Sequence, residues 1–300
     1  MNDKIDVAFK VFEGLMARYK ENVPAVDFVL NNMREEGIIT SNQEIENDHV
    51  AFRTLGVPNL GIKSFEKIFI HFGYQKRDFF DFKSKKLNAY WFSPPVPSLP
   101  RIFVSELRVN ELSEESRSII LKYTKAIKED PVDKLDLNKW EEIDHFLHHP
   151  LWKTPELEEY EKLQSESEYA SWVIYNRYYL NHYTISVHSL NKAYNTIEKF
   201  NTFLHKIGVK LNSAGGEIKI SKDGLLIQSS TVAEMLIGDF ANGQTKSISG
   251  SYVEFAERKV LPQFANMDVS KIEREHRRDG FEANNADKIF ESTFTSQTLK

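Results

Sequence analysis

Three residues in this chain combine metal-binding side chains with an ordered placement: His49, His182 and Glu254. His49 enters the run from Asn47 to Gly56, His182 enters the run from Asn181 to Leu190, and Glu254 sits within Ser251 to Val260. Each run reads as a strand, in which alternate side chains share a face. His49, Ala51 and Arg53 then point one way, as do His182, Thr184, Ser186 and His188, and likewise Tyr252, Glu254, Ala256 and Arg258. The opposite faces, Val50 with Phe52, Tyr183 with Ile185 and Val187, and Val253 with Phe255, are apolar and suited to packing on helices. Two imidazoles and one carboxylate on facing concave surfaces would make a facial triad, which leaves three positions of Fe(II) open for a chelating substrate and O₂.

Each residue also has a plainer reading. A histidine at a strand entrance is more often a partly buried polar group than a ligand, so repetition carries the case for the pair. Glu254 has a rival in Glu106, expected to be its positional counterpart in the first half of the chain. Arg53 shares the inward face with His49 about 13 Å further along the strand. It would either hold a substrate carboxylate through its planar fork or form a structural ion pair. His188 is six residues from His182, roughly 20 Å in an extended strand, too far to share a metal. His71 and His205 fall near helix ends, and His145, His148 and His149 belong to a solvated stretch before Pro150.

The elements that position these residues occur twice. The offset between the two histidines is 133 residues, between Glu66 and Glu198 it is 132, and between Gly73 and Gly208 it is 135. After each histidine run comes an amphipathic helix, with Ile62, Phe65, Ile68, Phe69 and Phe72 on one face of the first and Ile197, Phe200, Leu204 and Ile207 on one face of the second. Three strand candidates follow each helix: 75–82, 87–92 and 101–109 in the first copy, and 217–221, 225–229 and 251–260 in the second. Asp223-Gly224 supplies a hairpin turn between two of them. A repeated strand-helix-strand-strand-strand unit predicts an α+β fold of two tandem βαβββ modules curled into a half-open barrel.

The whole chain of 300 residues is expected to form one catalytic domain. N-terminal helices occupy 1–46, the first module 47–110, a helical insertion 111–179, the second module 180–262 and a C-terminal tail 263–300. The insertion is a candidate lid, and the tail is expected to cover one mouth of the barrel. With 41% hydrophobic residues, a sizeable core is available. The net charge of −5, with basic residues scattered among acids, argues against nucleic-acid and anionic-membrane partners. There is no cysteine, so disulfides, thiol nucleophiles and thiolate metal sites are excluded. Acidic residues interrupt the first 20 positions and no apolar run reaches about 20 residues, which predicts a cytoplasmic protein without a signal peptide or membrane span.

Three segments taken together, Asp48-His49-Val50-Ala51-Phe52-Arg53-Thr54, Asn181-His182-Tyr183-Thr184 and Gly250 through Arg258, resemble the 2-oxoadipate dioxygenase/decarboxylase family of the vicinal oxygen chelate fold. The resemblance extends through the insertion and to Asp279-Gly280-Phe281-Glu282 in the tail. It implies that His49, His182 and Glu254 bind Fe(II), that Arg53 is the catalytic arginine anchoring a substrate carboxylate, and that Thr184 contacts substrate. It further implies that 2-oxoadipate and O₂ are converted to 2-hydroxyglutarate and CO₂, a step of lysine catabolism.

Two other readings stay open on the residues alone. A glyoxalase-like isomerase or hydrolase on the same fold would polarise a carbonyl with its metal and use four protein ligands. Glu106 joining the three others would favour it. A non-catalytic small-molecule binding protein would need no metal, but would leave the polar inward face without partners.

Overall fold

Val50 and Phe52 share one face of a strand, and their apolar side chains cannot be left in water. A helix of matching apolar spacing covers them, and the rest of the fold extends that arrangement. The computed structural model describes residues 3–299. Helices α1 (Asp3–Asn22) and α2 (Pro24–Glu35) lead into β1 (Asn47–Leu55), α3 (Ile62–His71), β2 (Gln75–Phe82), β3 (Leu87–Ser93) and β4 (Arg101–Leu107). The linking helices are α4 (Glu114–Thr124), α5 (Trp140–His148), α6 (Leu157–Glu166) and α7 (Glu168–Asn176). The second half contains β5 (His182–Ser186), α8 (Ile197–Lys206), β6 (Lys219–Ile220), β7 (Leu226–Ser230), β8 (Met235–Asp239), β9 (Thr245–Ser249) and β10 (Tyr252–Arg258). A C-terminal segment carries α9 (Ala283–Ile289) and a last short turn, α10 (Thr295–Thr298).

Eight strands form one sheet in the order β2-β3-β4-β1-β5-β10-β7-β6. The order is that of two four-stranded halves joined where β1 pairs antiparallel with β5. In each half the strand carrying the histidine runs parallel to its inner neighbour, β1 beside β4 and β5 beside β10. This is the α+β half-barrel expected from the duplication. Its helices α3 and α8 lie on the convex face, where Phe52, Phe65 and Phe69 pack with ring centroids 4.9 to 6.1 Å apart. Phe65 is fully buried, and truncating such a ring costs about 3–5 kcal/mol.

The second half departs from the expected pattern in two places. The strand expected over 217–221 pairs over only Lys219 and Ile220, and Lys219 turns its amine onto the Asn212 carbonyl 2.7 Å away. A hairpin of β8 and β9, absent from the sequence reading, follows β7 in the chain and precedes β10, and forms its own small sheet. Met235 and Ile237 on it are exposed, so the period-2 burial that signals a strand is weak there. Among the described residues no helix is long and apolar enough to cross a membrane.

Candidate metal centre

His49, His182 and Glu254 meet on the concave face. One ligand atom from each lies within 4.8 Å of the others, and all three residues are buried. The imidazole Nε2 atoms are 3.3 Å apart, and Glu254 places its carboxylate oxygens 3.5 Å from His49 Nε2 and 3.1 Å from His182 Nε2. The strand junction brings this about. Ala51 is in register with His182 across β1 and β5, which sets His49 opposite Thr184, whose hydroxyl lies 3.1 Å from His49 Nε2. Tyr252 is in register with His182 across β5 and β10, which puts Glu254 one pleat further on the same face.

The residue before each histidine orients it. Asp48 Oδ1 lies 2.8 Å from His49 Nδ1, and Asn181 Oδ1 lies 3.1 Å from His182 Nδ1. With each Nδ1–H donated to an oxygen, each Nε2 keeps its lone pair turned to the centre. Consecutive strand residues ordinarily face opposite sides. Here the β1 register slips between Asn47 and Val50, and this irregularity lets Asp48 and His49 serve one site. Gln228 on β7 donates its amide to Glu254 Oε1 and accepts from Asn285 Nδ2 at 2.9 Å. Two imidazole lone pairs and a carboxylate converge without an opposing cation from the chain, so the donor set fits a divalent metal.

The charges around the triad are unequal. Burial, then the positive charge of His49 and Arg53, pushes His182 well below its ordinary value. Burial also opposes charge on His49, but the carboxylates of Glu254 and Asp48 outweigh it and hold that imidazole above its ordinary value. Asp48 is fully buried, which alone would raise it; Arg258 and Arg101 overcome this and hold it well below the usual carboxylate range. Arg258 grips Asp48 through two nitrogens at 2.6 and 2.8 Å, and Arg101 Nη1 adds a third contact at 3.4 Å. The same Arg258 donates to the carbonyls of Arg278 and Gly280, and Arg101 pairs with Asp279. The support of His49 and the docking of the C-terminal segment therefore share their arginines.

Arg53 is also fully buried, and burial lowers its pKa. It forms no ion pair among the described residues. Its Nη1 donates to Thr293 Oγ1 at 2.8 Å and its Nη2 to the Phe290 carbonyl at 3.0 Å, while Nε–H has no partner. Tyr169 and Trp172 of α7 and Phe290 surround the guanidinium at 5.2 to 5.6 Å from their ring centres. The expectation of a lid from the insertion needs correcting. The insertion backs Arg53 through α7, whereas the C-terminal segment covers the triad, with Phe281, Ala286, Ile289 and Phe290 lining the cavity beside it. That cavity has a volume of only about 20 Å³, about the room one water needs.

Glu106 is not the counterpart of Glu254. Parallel pairing sets His49 opposite Arg101 and Ala51 opposite Phe103, so Phe103 holds in the first half the position that Glu254 holds in the second. Glu106 lies on the convex side, where its Oε2 accepts from Ile62 N at 2.9 Å at the start of α3. The neighbouring Gly61, with φ of 94°, leaves the room this carboxylate fills. His71 and His205 lie at helix ends with Asn138 and Glu217, and His148 contacts the Asp144 carbonyl. His188 accepts from the Arg258 backbone N–H at 3.2 Å, and burial lowers it to about 4. The sequence reading missed Gln228, Asn285, Phe103 and the aromatic cover. Only Gln228 had a local signal, its alternate position on an expected strand.

A model of the 2-oxoadipate dioxygenase/decarboxylase family matches residues 11–267. The chain is 48% identical over 267 residues to a protein of Arabidopsis thaliana named 2-oxoadipate dioxygenase/decarboxylase, chloroplastic, covering 85% of this chain and 70% of that one. Hydroxyglutarate synthase from Oryza sativa, solved in complex with 2-oxoadipate, superposes with a TM-score of 0.90 at 42% identity, covering 100% of this chain and 96% of that one. A glyoxalase-superfamily protein from Ralstonia eutropha has the same fold, with a TM-score of 0.73 at 19% identity over 92% of this chain and 86% of its own.

Proposed function

The chain belongs to the 2-oxoadipate dioxygenase/decarboxylase family, and we propose that it converts 2-oxoadipate and O₂ to 2-hydroxyglutarate and CO₂ at a centre held by His49, His182 and Glu254. The observation that carries this reading is the pairing of a three-residue donor set with a buried arginine that has no carboxylate of its own. A 2-oxo dicarboxylate has a chelating end and an anionic end, and these two features suit one each.

Bound at the triad, Fe(II) would supply a redox-active centre with coordination positions to spare for the 2-oxo acid and O₂. The protein's part is positioning. Asp48 and Asn181 aim the two imidazoles, and Gln228 holds the Glu254 carboxylate through Oε1, so that this residue would complete the donor set with the two histidines. Phe103 contributes no fourth ligand where a glyoxalase-like site would want one. Thr184 offers a hydroxyl beside His49, in reach of a group bound at the centre. Arg53 would take the remote carboxylate in charge-assisted hydrogen bonds, strengthened by its aromatic, water-poor surroundings. Phe281, with its ring centre 4.8 Å from that of His49, and Phe290 shield the reacting end from water.

Oxygen-electrode turnover of anaerobically Fe(II)-loaded protein with 2-oxoadipate tests the proposal, with wild type set against His182→Ala and the product identified. Oxygen uptake matched by 2-hydroxyglutarate, and lost in the variant, is the expected result. No uptake at confirmed metal occupancy would sink the assignment.

A further inference from the structure

We propose that Tyr252 binds substrate: its hydroxyl and the unused Nε–H of Arg53 form a two-donor receptor for the remote carboxylate, which selects dicarboxylic over monocarboxylic 2-oxo acids. The inference rests on the function proposed above and assigns a further residue to it.

Tyr252 is wholly buried at the start of β10, in register with His182, and its ring lies 4.8 Å from that imidazole. It lines the cavity beside the triad. Of the polar side chains lining that cavity among the described residues, it alone keeps a polar atom without a hydrogen-bond partner. The others are engaged: Gln228 uses both ends of its amide, and each histidine donates its Nδ1–H and turns its Nε2 to the metal-binding centre. A buried hydroxyl left unpaired is unfavourable and uncommon, and it marks a place where something else completes the bond.

The second unpaired donor lies beside it. Arg53 Nε–H has no partner, and the Arg53 guanidinium and the Ser292 hydroxyl face the Tyr252 hydroxyl without reaching hydrogen-bond geometry. Burial keeps the phenol protonated far above neutral pH, so it is available as a donor. A carboxylate accepts from several donors at once, which an uncharged chain end cannot do. Tyr252 lies against His182 with its ring and faces Arg53 with its hydroxyl, which is the span a chelated dicarboxylate has to cross.

The test is calorimetric titration of Mn(II)-loaded protein without O₂, using 2-oxoadipate and 2-oxohexanoate, which has the same chain length and no remote carboxylate. Tyr252→Phe should weaken 2-oxoadipate about tenfold, as for one hydrogen bond to a charged group, and change 2-oxohexanoate less than about twofold. Its melting temperature should stay within about 2 °C of wild type or exceed it, because the hydroxyl removed makes no well-formed hydrogen bond in the folded chain. Equal weakening of both acids, no weakening of either, or a melting temperature lowered by more than that would overturn the assignment of Tyr252 alone. Failure of wild type to bind 2-oxoadipate would overturn the proposed function and this inference together.

Discussion

Phe103 and Glu254 occupy equivalent positions in the two halves of the sheet, each one pleat beyond the residue in register with its half's histidine. The two halves therefore have matching pairs of inward positions, and only one pair carries a carboxylate. The result is a three-residue donor set with an aromatic ring on its fourth side.

Phe103→Glu should add a fourth ligand. The variant is expected to retain divalent metal at least as tightly as wild type and to lose turnover by about 100-fold or more, since a position needed by substrate would be filled. Metal analysis of the purified protein beside oxygen-uptake rates checks this. Unchanged turnover would mean that Phe103 does not face the metal.

Asp48→Asn should harm both stability and metal binding. It leaves Arg258 buried without its counter-ion and Arg101 with Asp279 alone, which costs about 3–5 kcal/mol, and it weakens the hydrogen bond that orients His49, worth about 10–100-fold in metal affinity. Denaturant unfolding and metal titration measure the two effects. Asp48 titrates well below its ordinary value in the folded chain. Its contribution to stability is therefore present above the unfolded carboxylate range and is lost only as pH falls through the depressed folded value.

Metal affinity should fall with acidification. His49 is held above its ordinary value in the metal-free chain, so its charged form stabilises that state below the unfolded histidine range, and this contribution is lost as pH rises through the folded value. Metal binding acts in the opposite sense because it expels the proton. Affinity should weaken about tenfold per unit of pH once His49 is protonated, with one proton released per metal near pH 6. Calorimetry in two buffers of different ionisation enthalpy counts that proton. A count of zero would contradict the environment described for His49.

Arg53→Met should separate binding from folding. Arg53 has no ion pair to lose, so the stability cost should be confined to its hydrogen bonds with Thr293 and Phe290, about 1–3 kcal/mol. Removing the charge from a buried carboxylate site should raise KM for 2-oxoadipate by about 100-fold. Thermal unfolding and steady-state kinetics report the two quantities separately. A large stability loss with unaltered KM would make Arg53 structural.

The two halves of the fold, their order and the histidine pair were legible in the sequence because they depend on local periodicity repeated at a constant offset. Period 2 tells which side chains share a face, so His49 with Arg53, and His182 with Thr184, could be grouped without coordinates. Period 2 does not give the register between strands distant in the chain. For that reason Glu106 looked like the partner of Glu254, and only the pairing of β1 with β4 gave that place to Phe103. The Asx-His dipeptides were visible, but not that Asp48 would meet Arg258 across 210 positions. Nor could local pattern show that Arg53, an equal candidate for an ion pair, would find carbonyl and hydroxyl oxygens from a segment 237 and 240 positions away and no carboxylate. The chemistry of the triad was set by residue type and strand phase. Its isolation, its cover and its unpaired cation were set by which distant segments the hydrophobic core brought together.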